Sequence, residues 1–364
     1  MKLTTMKSTT RAALVGVVLA GVVGCSSSNS STSLGASSTT AASVDQTTTV
    51  PPTTVTETAP PTTAAGGLVY PLTGLPITDA AAAARPAMVV KIDNNSRARP
   101  QTGLGAADIV FEEIVEAQTR FAAVFHSQGS DPVGPIRSGR TQDIDLLGSF
   151  NQPLFVWSGG NHGVTRAIED SDLVDLSAQH NEVYSGGGFH RDNDRESPHN
   201  LYAQTSALWT LAPAGATPPP QQFQYLLAGE VAVGEAAAGV DLLMDNLEVG
   251  WRYDTATGRY LRTTEGEPHL DAVTGQISSA NVIVMVVVYD PRPGGVGSPE
   301  AQTIGSGEVL VFTGGVLVRG TWTRADRLSP IILTDASGQA IRLSPGNTWV
   351  ELPEANTFLP FFGA

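Results

Sequence analysis

The chain has 364 residues, 35 acidic against 21 basic side chains, and a formal net charge of −14, enough chain for two domains with a buried core. This acidic balance excludes a general nucleic-acid binder, which needs a basic face to neutralise phosphates. The lone cysteine excludes an intramolecular disulfide, a CxxC redox centre and a thiolate zinc cluster.

That cysteine is Cys25, and what precedes it gives it a role. Lys2, Lys7 and Arg11 are followed by an uncharged apolar run over residues 12–24. The run is too short to span a bilayer, which takes roughly 20 residues, but it suits the apolar region of a signal peptide. Val22, Val23 and Gly24 before Cys25 resemble a bacterial lipobox. The expectation is removal of a signal peptide at 1–24 and lipidation of Cys25 with palmitate-type chains. Two chains would give a durable anchor on the outer face of the bacterial cell membrane. An ordinary signal peptide or an uncleaved anchor is the alternative. Cleavage would leave Lys91 as the one lysine among seventeen arginines. An acidic body is repelled by an anionic membrane face, so a spacer is needed. Residues 25–66 read as that spacer: Ser and Thr supply 21 of the 41 residues at 26–66, with Pro51, Pro52, Pro60 and Pro61. Such a composition cannot bury enough apolar surface to order itself.

From residue 67 the texture becomes short apolar runs broken by Gly and Pro. Residues 87–92, 109–115 and 120–126 read as strands, the last two as a hairpin turning near 116–119. Residues 141–150 suggest a short helix, 154–157 a strand, and 164–170 and 202–211 helices. Alternating strands and helices predict a mixed α/β domain over 67–212. A proline-rich connector at 213–222 separates it from a β-rich part over 223–364. There strands are expected at 249–253, 259–262, 281–289, 307–312, 316–323, 331–334 and 340–343. Turn signals at that spacing predict a mostly antiparallel domain, so the fold class expected overall is α+β.

The segments PLTGLPIT (71–78), RARPQTGL (97–104), ADIVFEE (107–113), QTRF (118–121), GPIRSGR (134–140) and PHNLY (198–202) resemble the N-terminal domain of the YerB-like lipoprotein family. Tyr253, Tyr260, Arg262, His269, Asp271, Asn281, Gly305, Trp322 and PGNTWVELP (345–353) resemble its C-terminal domain. The family pattern favours Gly-Gly where this chain has Ala117–Gln118, so the hairpin turn is expected to differ. The resemblance implies an envelope location and a two-domain body of unknown function. It implies no reaction.

Three stretches could carry chemistry. Arg97, Arg99, Arg120, Arg137 and Arg140 lie close in sequence to Asp108, Glu112, Glu113 and Glu116. Guanidinium forks bind carboxylate or phosphate bidentately, so the set could grip an anionic ligand. Its plain alternative is internal pairing with the neighbouring acids. On a strand, Glu112 and Glu116 would share one face and Glu113 the other, so an acid is expected against the core. Second, SGGNHG at 158–163 could aim Gly159, Gly160, Asn161 and His162 at an anion from a strand-to-helix turn, with Arg166 in the first helical turn. The glycines are equally explained by a tight turn. Third, residues 185–200 hold His190, Asp192, Asp194, Glu196 and His199, without HExxH or an EF-hand pattern. This stretch reads as a solvated loop. GxSxG is absent, which argues against an α/β-hydrolase elbow; SxxK is absent too.

The function expected is thus non-catalytic binding of an anionic envelope ligand or a protein partner, with no cofactor, metal or nucleic acid. The runner-up is an envelope hydrolase or transferase using Glu112, Glu116 and His162 or His199 as acid and base. A third reading is a scaffold for envelope proteins.

Overall fold

A computed structural model describes residues 68–116, 118–291, 298–355 and 361–362. The signal segment, Cys25, the linker and Ala117 lie outside these residues. The strands are β1 (Met88–Asp93), β2 (Ile109–Val115), β3 (Gln118–Phe125), β4 (Leu154–Trp157), β5 (Val174–Ser177), β6 (Gly239–Met244), β7 (Leu247–Asp254), β8 (Arg259–Thr264), β9 (Asn281–Met285), β10 (Gly305–Thr313), β11 (Val316–Arg324), β12 (Ile332–Asp335) and β13 (Thr348–Glu351), besides ladders of two residues. The helices are α1 (Ala80–Ala84), α2 (Gln142–Leu147), α3 (His162–Glu169), α4 (Asn181–Gly186) and α5 (Thr205–Trp209). The N-terminal domain mixes helices and strands and the C-terminal domain is mostly antiparallel strand, as expected.

One sheet runs through both. Its order is β12-β11-β10-β9-β13-β2-β3-β1-β4-β5, with Glu235–Ala236 added on β11. The join is β13, whose parallel ladders pair Ile109 with Thr348 and Glu112 with Glu351 on one side, and Asn281 with Thr348 on the other. The described residues accordingly fall in one compact unit. A second sheet, β8-β7-β6 with short flanking ladders, belongs to the C-terminal domain.

Local chemistry explains the elements. Every residue of β1 and β2 is buried, as strands covered on both faces require, and this is why both read as near-continuous apolar runs. The β10–β11 hairpin turns through Gly314 and Gly315 at φ 57° and 82°, the left-handed pair a tight two-residue turn demands. Helix α3 starts where Asn161 accepts the Val164 N–H at 3.0 Å, a side-chain cap for an otherwise unpaired donor. It buries Val164 and Ile168 on one stripe.

Several expectations shift. Strand 281–289 stops at Met285, and residues 340–343 make only isolated bridges, Ala340 to Thr334 and Leu343 to Tyr225. The helix expected over 202–211 is confined to Thr205–Trp209, because Tyr202 is committed to a ladder with His190. Residues 185–200 are not one loop: α4 precedes a His190–Arg191/Leu201–Tyr202 ladder. Strands β5 and β6 are unanticipated; β5 has only two of its four residues buried, leaving no continuous apolar run to read.

Candidate functional site

Parallel pairing of β1 with β4, β4 with β5 and β2 with β13 brings their carboxyl ends to one edge of the sheet. The antiparallel β3 begins at that same edge. Ligands of open α/β sheets gather at such edges, because the loops leaving the strands converge there. Register places Asp93, Arg120 and Glu113 side by side across β1, β3 and β2. Neighbours across a ladder share a face, so the three form a charged row.

Lys91, one turn of the pleat before Asp93, donates to Glu113 Oε1 and Asp143 Oδ1, both at 2.8 Å. All three groups are shut off from solvent. Burial, and then the Asp143 charge, push Glu113 upward, and Gln142 also donates to it at 2.6 Å. The one lysine among the described residues is therefore a core ion-pair residue.

Arg120 is the unusual member. Its guanidinium is buried, donates to the Ser138 carbonyl at 2.9 Å, and leaves Nε without a hydrogen-bond partner, as does the Arg137 Nε, which meets Asp93 only as an ion pair. Burial, then the charges of Arg140 and Arg137, lower it to about 10. Those two neighbours are themselves paired: Arg137 Nε with Asp93 Oδ2 at 3.1 Å, and Arg140 with Glu116 through Nη2 at 2.6 Å and Nε at 2.9 Å. Although burial pushes Glu116 up, the Arg140 bonds hold it below the usual carboxylate range. His199 joins through Nδ1, 2.6 Å from Asp93 Oδ2, so the "solvated loop" reading fails at this residue; it is pulled in because Asp93 is buried and needs polar partners.

The arginine segment and the glycine turn do meet. Ser158 donates its N–H to the Arg137 carbonyl at 3.0 Å, and a side chain at Gly139 would sit 3.0 Å from the Trp157 ring. Gly159, at φ 107°, is forced by backbone shape and by Gln179, 2.2 Å from where its Cβ would lie. Gly160 packs on Val164. Asn161 spends its carbonyl on the α3 cap, His162 is exposed, and Arg166 pairs with Asp170 in solvent at 3.4 Å.

The remaining residues go elsewhere. Arg97 meets Glu196 in an exposed pair at 3.4 Å. Arg99 holds the Asn94 side chain and carbonyl and reaches Glu265 at 2.9 Å. Glu112 and Glu116 do not share a face as expected, because β2 ends at Val115 and Glu116 lies in the turn. Glu112 lies on the opposite side of the sheet, against Arg262 of the second sheet, and accepts from Asn94 and Thr119 at 3.0 and 2.6 Å. Arg262 is walled by Trp251, Trp349 and Phe121. Its second acid, Glu351, accepts from Trp251 Nε1 at 2.8 Å and is pushed well up by burial and then by the Glu112 charge. With no exposed surface, Glu112 is a structural acid tying the two sheets together. An open pocket of about 360 Å³ lies beyond Glu116, lined by Tyr289, Asp245, Pro291 and Pro299 among others, with no arginine among the described lining residues. Asp93, Lys91, Asp143 and Arg262 escaped sequence reasoning as network members. The signal available for the first three was a charge inside an otherwise apolar strand or helix face.

Residues 72–217 match the N-terminal domain, and residues 240–350 the C-terminal domain, of a family described as protein of unknown function, DUF3048. The chain is a DUF3048 protein. It is similar to Putative lipoprotein YerB of Bacillus subtilis (strain 168), 29% identical over 291 residues that cover 78% of this chain and 85% of the relative. Its fold is similar to the crystal structure of the Bacillus subtilis YerB protein, with TM-score 0.69, 26% identity, and 80% of this chain and 99% of that chain covered. The YerB-like resemblance read from the motifs therefore holds. In this DUF3048 protein the motifs sit at buried polar contacts: GPIRSGR carries Arg137 and Arg140, and PGNTWVELP contains β13 with Glu351.

Proposed function

We propose that this DUF3048 protein is an envelope lipoprotein, anchored through Cys25, whose sheet edge recognises an anionic group, carboxylate or phosphate, without catalysis. The supporting observation is Arg120, a buried guanidinium with an unpartnered Nε beside two further guanidiniums. Three clustered guanidiniums give this edge a local positive charge that an anion would offset, and charge-assisted forks suit that chemistry. Titrating inorganic phosphate and acetate into the full chain by calorimetry tests it. Arg137→Gln and Arg140→Gln should weaken binding at least about tenfold, the factor corresponding to 1.4 kcal/mol, with circular dichroism confirming that both variants are folded. Failure of the unaltered chain to bind either anion, or equal binding by both variants, would overturn the reading. For the anchor, Cys25→Ala should abolish labelled-palmitate uptake and release the protein from membranes.

A second reading rests on the Asp93–His199 contact, in which a buried carboxylate orients an imidazole, as in hydrolytic triads. Here His199 would act as a base on water. Hydrolysis of an activated phosphate ester that His199→Gln abolishes would favour this reading over plain binding.

A further inference from the structure

We infer that Glu169, Asp175 and His180 form a site for a first-row divalent metal of the zinc class, independent of the arginine edge. The three come from the end of α3, from β5, and from the residue that opens α4. One ligand atom from each lies within 4.8 Å of the others. His180 Nε2 stands 3.9 Å from Asp175 Oδ2, too long for a hydrogen bond. Bonds of 2.0–2.1 Å at tetrahedral angles set ligands roughly 3.4 Å apart, so a small rotation of exposed side chains closes the set around an ion.

The Asp175 carboxylate is already aimed. Its Oδ1 takes the Trp157 Nε1–H at 2.6 Å and the Ser177 N–H at 3.0 Å. Oδ2 is the oxygen turned to the imidazole. A ligating carboxylate held by an outer partner is a recurring feature of metal centres. Gln179, beside His180, fills the space against Gly159, fixing the chain between Asp175 and α4.

The donor set selects the metal class. Two carboxylates and a neutral imidazole offset a double positive charge. One nitrogen with two oxygens suits zinc, manganese or nickel and falls short of the six to eight oxygens calcium takes. Three protein ligands also leave coordination positions open to water or an anion.

The test uses the full chain with Cys25→Ser, so that its thiol cannot compete, freed of any affinity tag and stripped with chelator. Calorimetry with zinc chloride should show one metal per chain, and cobalt chloride should give a visible ligand-field band. Because loss of an outer partner alone costs 10–100-fold, His180→Ala should weaken zinc binding at least about 100-fold and erase the cobalt band. The exposed Glu169→Gln should weaken it as well, with unchanged circular dichroism in both variants. No zinc binding by the chain, or equal stoichiometry and affinity in His180→Ala, overturns the inference.

Discussion

Asp108 and His126 flank the opposite edge of the sheet and titrate in opposite senses. Asp108 accepts the backbone N–H groups of His126 and Ser127 at 2.6 and 2.7 Å, yet burial outweighs these bonds and pushes it up to about 6. Burial, with Arg85 adding to it, lowers His126 to about 4. A raised acid makes the folded chain take a proton more readily, so Asp108 favours folding as pH falls from 7 toward 5. A depressed histidine makes the folded chain refuse one, so His126 opposes folding over the same window. Asp108→Asn should therefore lose about 1 kcal/mol relative to the unaltered chain between pH 7 and pH 5, and His126→Gln should gain 1–2 kcal/mol. Urea titrations at the two pH values read both. An identical pH response in all three proteins would mean that these groups titrate alike in the folded and unfolded chain.

At the scale of elements, Lys91 shows how a strand carries a charge inside the core. Removing it as Lys91→Met leaves Glu113 and Asp143 facing each other without a cation, which should cost roughly 3–5 kcal/mol in denaturant unfolding. Asn161→Ala removes the α3 cap and should cost about 1 kcal/mol while phosphate affinity stays constant. A changed affinity would instead move the anion to that helix end. These cases also mark what the sequence makes legible. Strands β1, β2, β3 and β4 are readable because their apolar runs are nearly unbroken. By contrast β5 is half-exposed, and α4 ends in three consecutive glycines, a composition that reads as loop. The arginine segment 134–140 is legible as a candidate because guanidinium chemistry is explicit in its residue types. The partners Asp93 and His199, 106 positions apart, are brought together only by the fold, and nothing in their local sequence announces it. A still longer separation, 150 positions, hides Arg262 from Glu112.

For the whole molecule, the two domains are halves of one sheet rather than beads on a string. Residues 109–112 and 281–284 are joined through β13 alone in that sheet, and Arg262, Glu112 and Glu351 seal the layer behind it. Denaturant unfolding followed by both tryptophan fluorescence and circular dichroism should give one coincident transition. Separate transitions would show that each domain holds its structure without the other. Arg262→Met, which strands two carboxylates in a closed space, should lower the common midpoint for both signals together, with a cost again of roughly 3–5 kcal/mol.

The position of β13 in the chain also imposes an order of assembly. Synthesis delivers β2 more than 200 residues before the strand that covers its flank, and β9 more than 60 before. During that interval the growing chain presents two open strand edges of the kind that recruit other chains. Closure of the sheet is thus a late event, set by arrival of four residues, Thr348–Glu351. A chain truncated before residue 348 would leave the facing edges of β2 and β9 unpaired in this sheet, the kind of edge that recruits other chains.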